Sequence, residues 1–199
     1  MFRPMHVPSL TEGKHMARLP IQNVESATGS NKDIFTALQK GLGMVPNMTK
    51  VMANSPAVLQ AFAQFNGAMG TAKLAAPIRE QIALLTAETN GCSYCLSAHS
   101  ALGKMVGLNQ AQMDGARHNE STDPRTSAAL KFAAAVIEHR GGVSDNEIKT
   151  VRAAGFSDAE IAEIVGAVAL NVFTNFFNKA FDVDVDFPRV EPHVHVAAR

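Results

Sequence analysis

The chain has 199 residues, a length typical of one domain, and 46% of its residues are hydrophobic while 18% are charged. This composition excludes an intrinsically disordered chain. The 18 basic side chains balance the 18 acidic ones, so the net charge favours neither nucleic acid nor an anionic membrane as a partner. We find no apolar stretch long enough to cross a bilayer and no signal-peptide core, and we therefore expect a cytoplasmic protein.

Helix signals recur along most of the chain. Apolar residues repeat at intervals of three and four, as on one face of a helix. Cap residues precede several segments: Asp123 stands before Pro124, and capping boxes pair Ser144 with Glu147 and Ser157 with Glu160. The predicted helices lie in GSNKDIFTALQKGLG, NSPAVLQAFAQFNGAM, APIREQIALLTAETNG, CSYCLSAHSALGKMVG, LNQAQMDGARHN, DPRTSAALKFAAAVIEHRGG, SDNEIKTVRAAG and SDAEIAEIVGAVALNVFTNFFNKAF. The sequence predicts an all-α bundle of about eight helices.

Both ends of the chain differ from this pattern, because they carry prolines and little periodicity. We predict a poorly ordered N-terminal arm at residues 1–16, a helical domain at 17–185 and a C-terminal tail at 186–199. Two tail histidines, His193 and His195, could ligate a metal, but isolated tail histidines are more often solvated, and we favour that interpretation. Four other polar residues are interpreted as surface or packing groups: His118, His139, Asn171 and Asn175.

The only two cysteines, Cys92 and Cys95, are separated by two residues, and His99 follows four positions later. At these spacings the three side chains share one face of a helix that begins at Cys92, a central helix of the bundle. A helix N-terminus favours a thiolate at Cys92, whereas the spacing lets His99 take a proton from Cys95. These residues alone leave open which thiol attacks a substrate.

Several kinds of site use a cysteine pair. Haem attachment requires a histidine directly after the second cysteine, and Leu96 in that position excludes it. A structural zinc site needs about four ligands, of which the cysteines and His99 could supply three. The cysteines could also be buried without any chemical role, as small hydrophobic side chains. Both alternatives remain open. In a reducing compartment a redox dithiol is the favoured interpretation.

Glu80, twelve residues before Cys92, has two interpretations. It could orient His99 if two antiparallel helices meet at Asn90–Gly91, or it could be a solvated carboxylate in the first turn of its helix.

The stretch REQIALLTAETNGCSYCLSAH resembles the core motif of the alkyl hydroperoxidase D (AhpD)-like group of the carboxymuconolactone decarboxylase superfamily. That motif is a glutamate, eleven residues, Cys-x-x-Cys, three residues and a histidine. The resemblance implies an all-helical homo-oligomer, commonly a trimer or hexamer, with thiol-dependent peroxidase activity. It implies that Cys95 attacks the peroxide, that His99 activates Cys95 within a relay including Glu80, and that Cys92 resolves the sulfenic acid into a disulfide.

This resemblance also implies a hydroperoxide substrate and an external dithiol reductant such as a lipoyl- or thioredoxin-like protein, without cofactor or metal.

The best-studied AhpD proteins have a second relay histidine directly before the second cysteine, where this chain has Tyr94, a poor base near neutral pH. A disulfide oxidoreductase without peroxidase activity is therefore an alternative. Carboxymuconolactone decarboxylase chemistry is a weaker one, since the lactone decarboxylases lack the paired cysteines. A zinc-binding or purely structural helical oligomer is the non-enzymatic alternative.

Overall fold

A computed structural model describes residues 17–193, and within that range the chain is all-helical, as the sequence predicts. The predicted arm at residues 1–16 and His195 lie outside the described residues. The helices of the described range are α1 Gly29–Leu42, α2 Asn47–Met52, α3 Pro56–Gly70, α4 Ala76–Thr89, α5 Ser93–Met105, α6 Gln110–Arg117, α7 Pro124–Glu138, α8 Asp145–Ala153 and α9 Asp158–Phe181.

Both capping boxes predicted from the sequence are formed. The side chains of Ser144 and Ser157 accept hydrogen bonds from the third backbone amides of α8 and α9. The carboxylates of Glu147 and Glu160 in turn accept from the backbone amides of the two serines. Asp123 caps α7 in the same way by accepting from the amide of Thr126 at 2.8 Å. Local side-chain chemistry therefore fixes where the long helices begin.

One helix, α2, has no counterpart among the predicted segments. It has only six residues and follows Pro46, so it is too short for an apolar repeat to be visible. Its Val51 and Met52 are nonetheless buried in the core. Tertiary packing, rather than helix propensity, stabilises a helix this short.

Helix α4 lies at the centre of the bundle and packs against α5, α6, α7 and α9. Its side chains are buried nearly all round, including the fully buried Ile82 and Leu84. A link of three residues then reverses the chain into α5, and Gly91 provides the positive φ of 62° that this reversal requires. Consequently α4 and α5 form the antiparallel pair that carries the candidate site residues.

Helix α9 is the longest element, with 24 residues, and packs against α3, α4, α5, α7 and α8. By length and mean hydropathy it could cross a membrane, a property that the sequence analysis did not attribute to any segment. Its Ile164 and Asn175 are fully buried within the bundle, which is the environment of a core helix. Its opposite face carries the exposed apolar side chains Val165, Phe173 and Phe176.

Residues 182–193, here named the C-terminal strap, leave α9 and lie across the first half of α5. The amide of Val190 donates to Ser97 Oγ at 2.9 Å, and Ser93 Oγ donates to the Glu191 carboxylate at 2.6 Å. Arg117 on α6 holds the same segment by donating to the carbonyl of Glu191 at 2.7 Å. The predicted boundary at residue 185 falls inside this strap, which covers the start of α5.

The buried position of α4 leads to a stability prediction. Leu84→Ala removes a side chain with no solvent exposure and leaves a cavity, so we expect the free energy of unfolding to fall by about 2–5 kcal/mol. Met105→Ala, at a position that is 68% exposed, is the matched control and should change it by less than about 0.5 kcal/mol. Urea unfolding of both variants measures the difference. Equal destabilisation by the two substitutions would contradict the assignment of α4 as the central helix.

Candidate active site

The two cysteines are joined in a disulfide at the start of α5. Cys92 is the N-cap residue, in an extended conformation, and its Sγ accepts a hydrogen bond from the amide of Cys95 at 3.2 Å. Both cysteines are nearly inaccessible, with exposed fractions of 1% and 2%. Because Gly91 turns the chain just before the cap, the two sulfurs meet within one helical turn. The pair is therefore placed to alternate between dithiol and disulfide.

His99 and Glu80 meet between α5 and α4. Nδ1 of His99 lies 2.8 Å from Oε2 of Glu80, and each side chain is 20% exposed. An ionised carboxylate only accepts hydrogen bonds, so it holds the proton on Nδ1 and leaves Nε2 as the basic nitrogen. His99 follows Cys95 by one helical turn. The antiparallel arrangement of α4 and α5 thus produces a carboxylate–imidazole pair beside the cysteines.

Tyr94 connects three parts of the molecule. Its hydroxyl donates to Asp186 of the strap at 2.8 Å and accepts from the amide of Met48, in α2, at 3.2 Å. The same carboxylate accepts from the amide of Asn47 at 2.7 Å, and the ring of Phe187 packs edge-on against Tyr94 with centroids 5.9 Å apart. Burial, and then the charge of Asp186, raise the pKa of the Tyr94 phenol far above its ordinary value. The phenol therefore stays protonated near neutral pH, and its hydroxyl connects the strap to α2 through hydrogen bonds.

Asn178, on α9, is a site residue that the sequence analysis missed. It is 3% exposed, and its Nδ2 donates to Cys95 Sγ at 3.4 Å and to the sulfur of Met48 at 3.2 Å. A donor aimed at a sulfur stabilises the thiolate relative to the thiol. The available signal was the row Asn171, Asn175 and Asn178, spaced by four and three residues on an otherwise apolar helix. Of these, Asn175 accepts a hydrogen bond from Asn90 at 2.9 Å and so anchors the turn before Cys92.

Two cavities adjoin the site, and they differ in chemistry. The apolar cavity, of about 310 Å³, is lined by Glu80 and His99 together with apolar side chains that include Phe62, Leu170 and Phe187. The polar cavity, of about 440 Å³, is lined by Cys92 and Asn178 and by the charged residues Lys179, Asp182, Asp184 and Arg189. Tyr94 lines both cavities and so forms part of the wall between them.

The remaining histidines of the described range lie away from the cysteines. His118 stacks on His193 of the strap, with ring centroids 4.8 Å apart, and His139 is exposed at the end of α7. Within residues 17–193 the histidine, cysteine and carboxylate side chains form no group of three or more that could hold a metal ion.

The environment of Tyr94 leads to a pH prediction. Because its pKa is higher in the folded than in the unfolded protein, the folded state is favoured below the unfolded value of about 10 and loses that advantage as pH rises above it. The chain has one tyrosine and no tryptophan, so tyrosinate absorbance at 295 nm reports Tyr94 alone. We expect tyrosinate to form only together with loss of helical circular dichroism. Ionisation near pH 10 in a protein that stays folded would contradict this environment of Tyr94.

Comparison with known proteins gives one family match. Residues 56–138 match the model of the carboxymuconolactone decarboxylase family, a segment that contains Glu80, both cysteines and His99. No curated protein sequence matches the chain.

Solved structures share the fold. An uncharacterized peroxidase-related protein from Silicibacter sp. TM1040 superimposes with a TM-score of 0.77 at 25% identity, over 88% of this chain and 94% of that one. A peroxidase-related protein from Ralstonia eutropha JMP134, described as an alkylhydroperoxidase AhpD core, gives 0.78 at 23% identity, over 85% and 92%. A variant of the debrominase Bmp8 in complex with 2,3,4-tribromopyrrole gives 0.72 at 20% identity, over 87% and 93%. The family match and these likenesses support a relationship of the chain to the AhpD-like group of the carboxymuconolactone decarboxylase superfamily.

Proposed function

We propose that this protein is a thiol-dependent peroxidase that reduces organic hydroperoxides through its cysteine pair. The observation that carries the proposal is the Cys92–Cys95 disulfide, buried one helical turn from an imidazole that a carboxylate orients. A nucleophilic thiol, a positioned base and a second thiol are the three groups that such a cycle requires.

In the reduced protein, Cys95 is the attacking thiol. His99 Nε2 takes its proton, while Asn178 Nδ2 and the N-terminus of α5 stabilise the thiolate. The thiolate attacks the terminal oxygen of the hydroperoxide, and the O–O bond breaks. The departing alkoxide takes the proton from His99 and leaves as an alcohol. The sulfur is oxidised to a sulfenic acid, and the peroxide is reduced by two electrons.

Cys92 then completes the oxidation. Its sulfur attacks the sulfenic sulfur of Cys95, the S–S bond forms, and the hydroxyl group leaves as water. The product is the disulfide found in the structure. An external dithiol, carried by a lipoyl- or thioredoxin-like protein, returns the pair to the reduced state, and we place this cycle in the cytoplasm, where such donors are kept reduced.

The apolar cavity favours a particular substrate class. His99 and Glu80 line it together with aromatic and aliphatic side chains such as Phe62 and Leu170. A cavity of about 310 Å³ is sized for a small organic molecule rather than for hydrogen peroxide alone. We therefore propose that alkyl or aryl hydroperoxides react faster than hydrogen peroxide.

Steady-state consumption of cumene hydroperoxide, with dithiothreitol as reductant, tests the proposed function. Cys95→Ser removes the nucleophile and should reduce turnover to the uncatalysed rate, and His99→Ala should reduce it by about 10²–10⁴-fold because general acid–base catalysis is lost. His139→Ala, an exposed histidine remote from the cysteines, is the matched control and should retain wild-type turnover. Undiminished turnover in Cys95→Ser would contradict the mechanism.

A second candidate function is disulfide exchange without peroxide reduction, and Tyr94 is the observation that favours it. Where AhpD relays have a second histidine, this chain has a phenol that is hydrogen-bonded to Asp186 and Met48 and does not ionise near neutral pH. For this function, wild-type protein would exchange with a disulfide substrate while consuming peroxide no faster than buffer. The same assays therefore separate the two candidates.

We also propose that the protein forms a homo-oligomer through the outer face of α9. Val165, Phe173 and Phe176 expose an apolar row along this helix, and exposed rows of this kind commonly mark an interface between subunits. A second copy of the same chain is the partner we propose.

Mass measurement in solution tests this assembly. Wild-type protein should elute as an oligomer in size-exclusion chromatography with light scattering. Phe176→Glu should shift it towards monomer, because a carboxylate cannot be buried there without a partner. Met105→Glu changes an equally exposed apolar residue on α5 and should leave the mass unchanged. A monomeric wild-type protein would rule the assembly out.

A further inference from the structure

We propose that the polar cavity is the binding site of the reducing dithiol, which attacks Cys92 there, while the hydroperoxide reaches Cys95 from the apolar cavity. This inference rests on the proposed function and assigns a side of the molecule to each half of the cycle. The two reactants would then approach the cysteine pair from different directions.

The lining residues divide the chemistry between the cavities. Glu80 and His99, which serve the oxidative step, line the apolar cavity. Cys92, the sulfur that must be attacked for Cys95 to leave, lines the polar cavity. Tyr94 contributes to both linings. Its hydroxyl is hydrogen-bonded to Asp186 and to the amide of Met48, and these two bonds hold the ring in place between the cavities.

Asn178 supplies an independent indication that the polar cavity takes a ligand. It lines this cavity and is 97% buried, since its exposed fraction is 3%. Its Nδ2 donates to the cysteine sulfur, but its Oδ1 is buried without a hydrogen-bond partner within the described residues. A buried acceptor without a partner destabilises the protein, because its hydrogen bond to water is lost and not replaced. A thiol or hydroxyl of an incoming reductant is a donor that could satisfy it.

The reductive step balances at these atoms. A thiolate of the donor attacks Cys92 Sγ, forming a mixed disulfide and breaking the Cys92–Cys95 bond, whose electron pair goes to Cys95. Asn178 Nδ2 already points at that leaving sulfur. The second thiolate of the donor attacks the donor sulfur of the mixed disulfide and releases Cys92, which takes a proton. The donor ends as a disulfide and the protein as a dithiol.

The polar cavity also restricts the donor. Its lining combines two cations, Lys179 and Arg189, with the carboxylates Asp182 and Asp184, so no single sign of charge is favoured. Cys92 is only 1% exposed, so of the two donor types proposed above, a dithiol on a flexible arm reaches its sulfur more readily than one held in the flat face of a folded partner. We infer a small uncharged dithiol, free or at the end of a flexible arm, and dithiothreitol is a suitable probe of that class.

Separate measurement of the two half-reactions tests the assignment. In the reductive half-reaction, oxidised protein is mixed with dithiothreitol and the released thiols are alkylated and counted by mass. In the oxidative half-reaction, reduced protein is mixed with one equivalent of cumene hydroperoxide. Val185→Trp fills the polar cavity, and Leu42→Trp, at an exposed position, fills the apolar cavity.

We expect Val185→Trp to slow reduction by at least about tenfold, which is about 1.4 kcal/mol of barrier, and to leave oxidation within about twofold. Leu42→Trp should do the reverse. Arg189→Trp, at an exposed position that lines the polar cavity, repeats the first test without altering a half-buried side chain. If Leu42→Trp slows reduction as much as the polar-cavity variants do, the assignment is wrong. If wild-type protein does not react with hydroperoxide, the proposed function fails, whereas the reductive comparison still decides the dithiol site.

Discussion

The reversal of the chain at Asn90 and Gly91 is the constraint on which the site depends. It makes α4 and α5 antiparallel, so that Glu80 of one helix reaches His99 of the other at 2.8 Å. It also delivers Cys92 to the N-cap of α5, where its sulfur meets Cys95. The turn is held from α9, because Asn175 accepts from the Asn90 side chain and Lys179 donates to the Asn90 carbonyl. The geometry of the candidate site is thus anchored to α9.

A second layer of contacts covers the two cysteines. The C-terminal strap crosses α5 and is held by Ser93, Ser97 and the Tyr94 hydroxyl. Because Tyr94 is bonded at once to the strap and to α2, it fastens a wall between an apolar and a polar cavity. Both cysteines are thereby nearly inaccessible, with exposed fractions of 1% and 2%.

Much of the fold could be predicted from local sequence, since capping boxes, prolines and glycines act within a few residues. The resemblance to a family motif also predicted one site made of Glu80, Cys92, Cys95 and His99. The residue pattern alone favoured a surface position for Glu80. What could not be predicted depends on contacts between distant positions. Asn178 meets Cys95 across 83 residues, and Tyr94 meets Asp186 across 92. Helix α2 and the ordered strap were not predicted for the same reason, because each is stabilised by tertiary contacts and not by a repeat in its own sequence.

The central claim is that Cys95 is the sulfur oxidised by the hydroperoxide. Cys92→Ser removes the resolving thiol, so a sulfenic acid formed at Cys95 should persist and be trapped by dimedone. After one equivalent of cumene hydroperoxide, peptide mass spectrometry should show close to one dimedone adduct per chain, located at Cys95, and His99→Ala in the same background should slow its formation. A stable adduct at Cys92 in Cys95→Ser protein, with none at Cys95 in Cys92→Ser protein, would contradict the account.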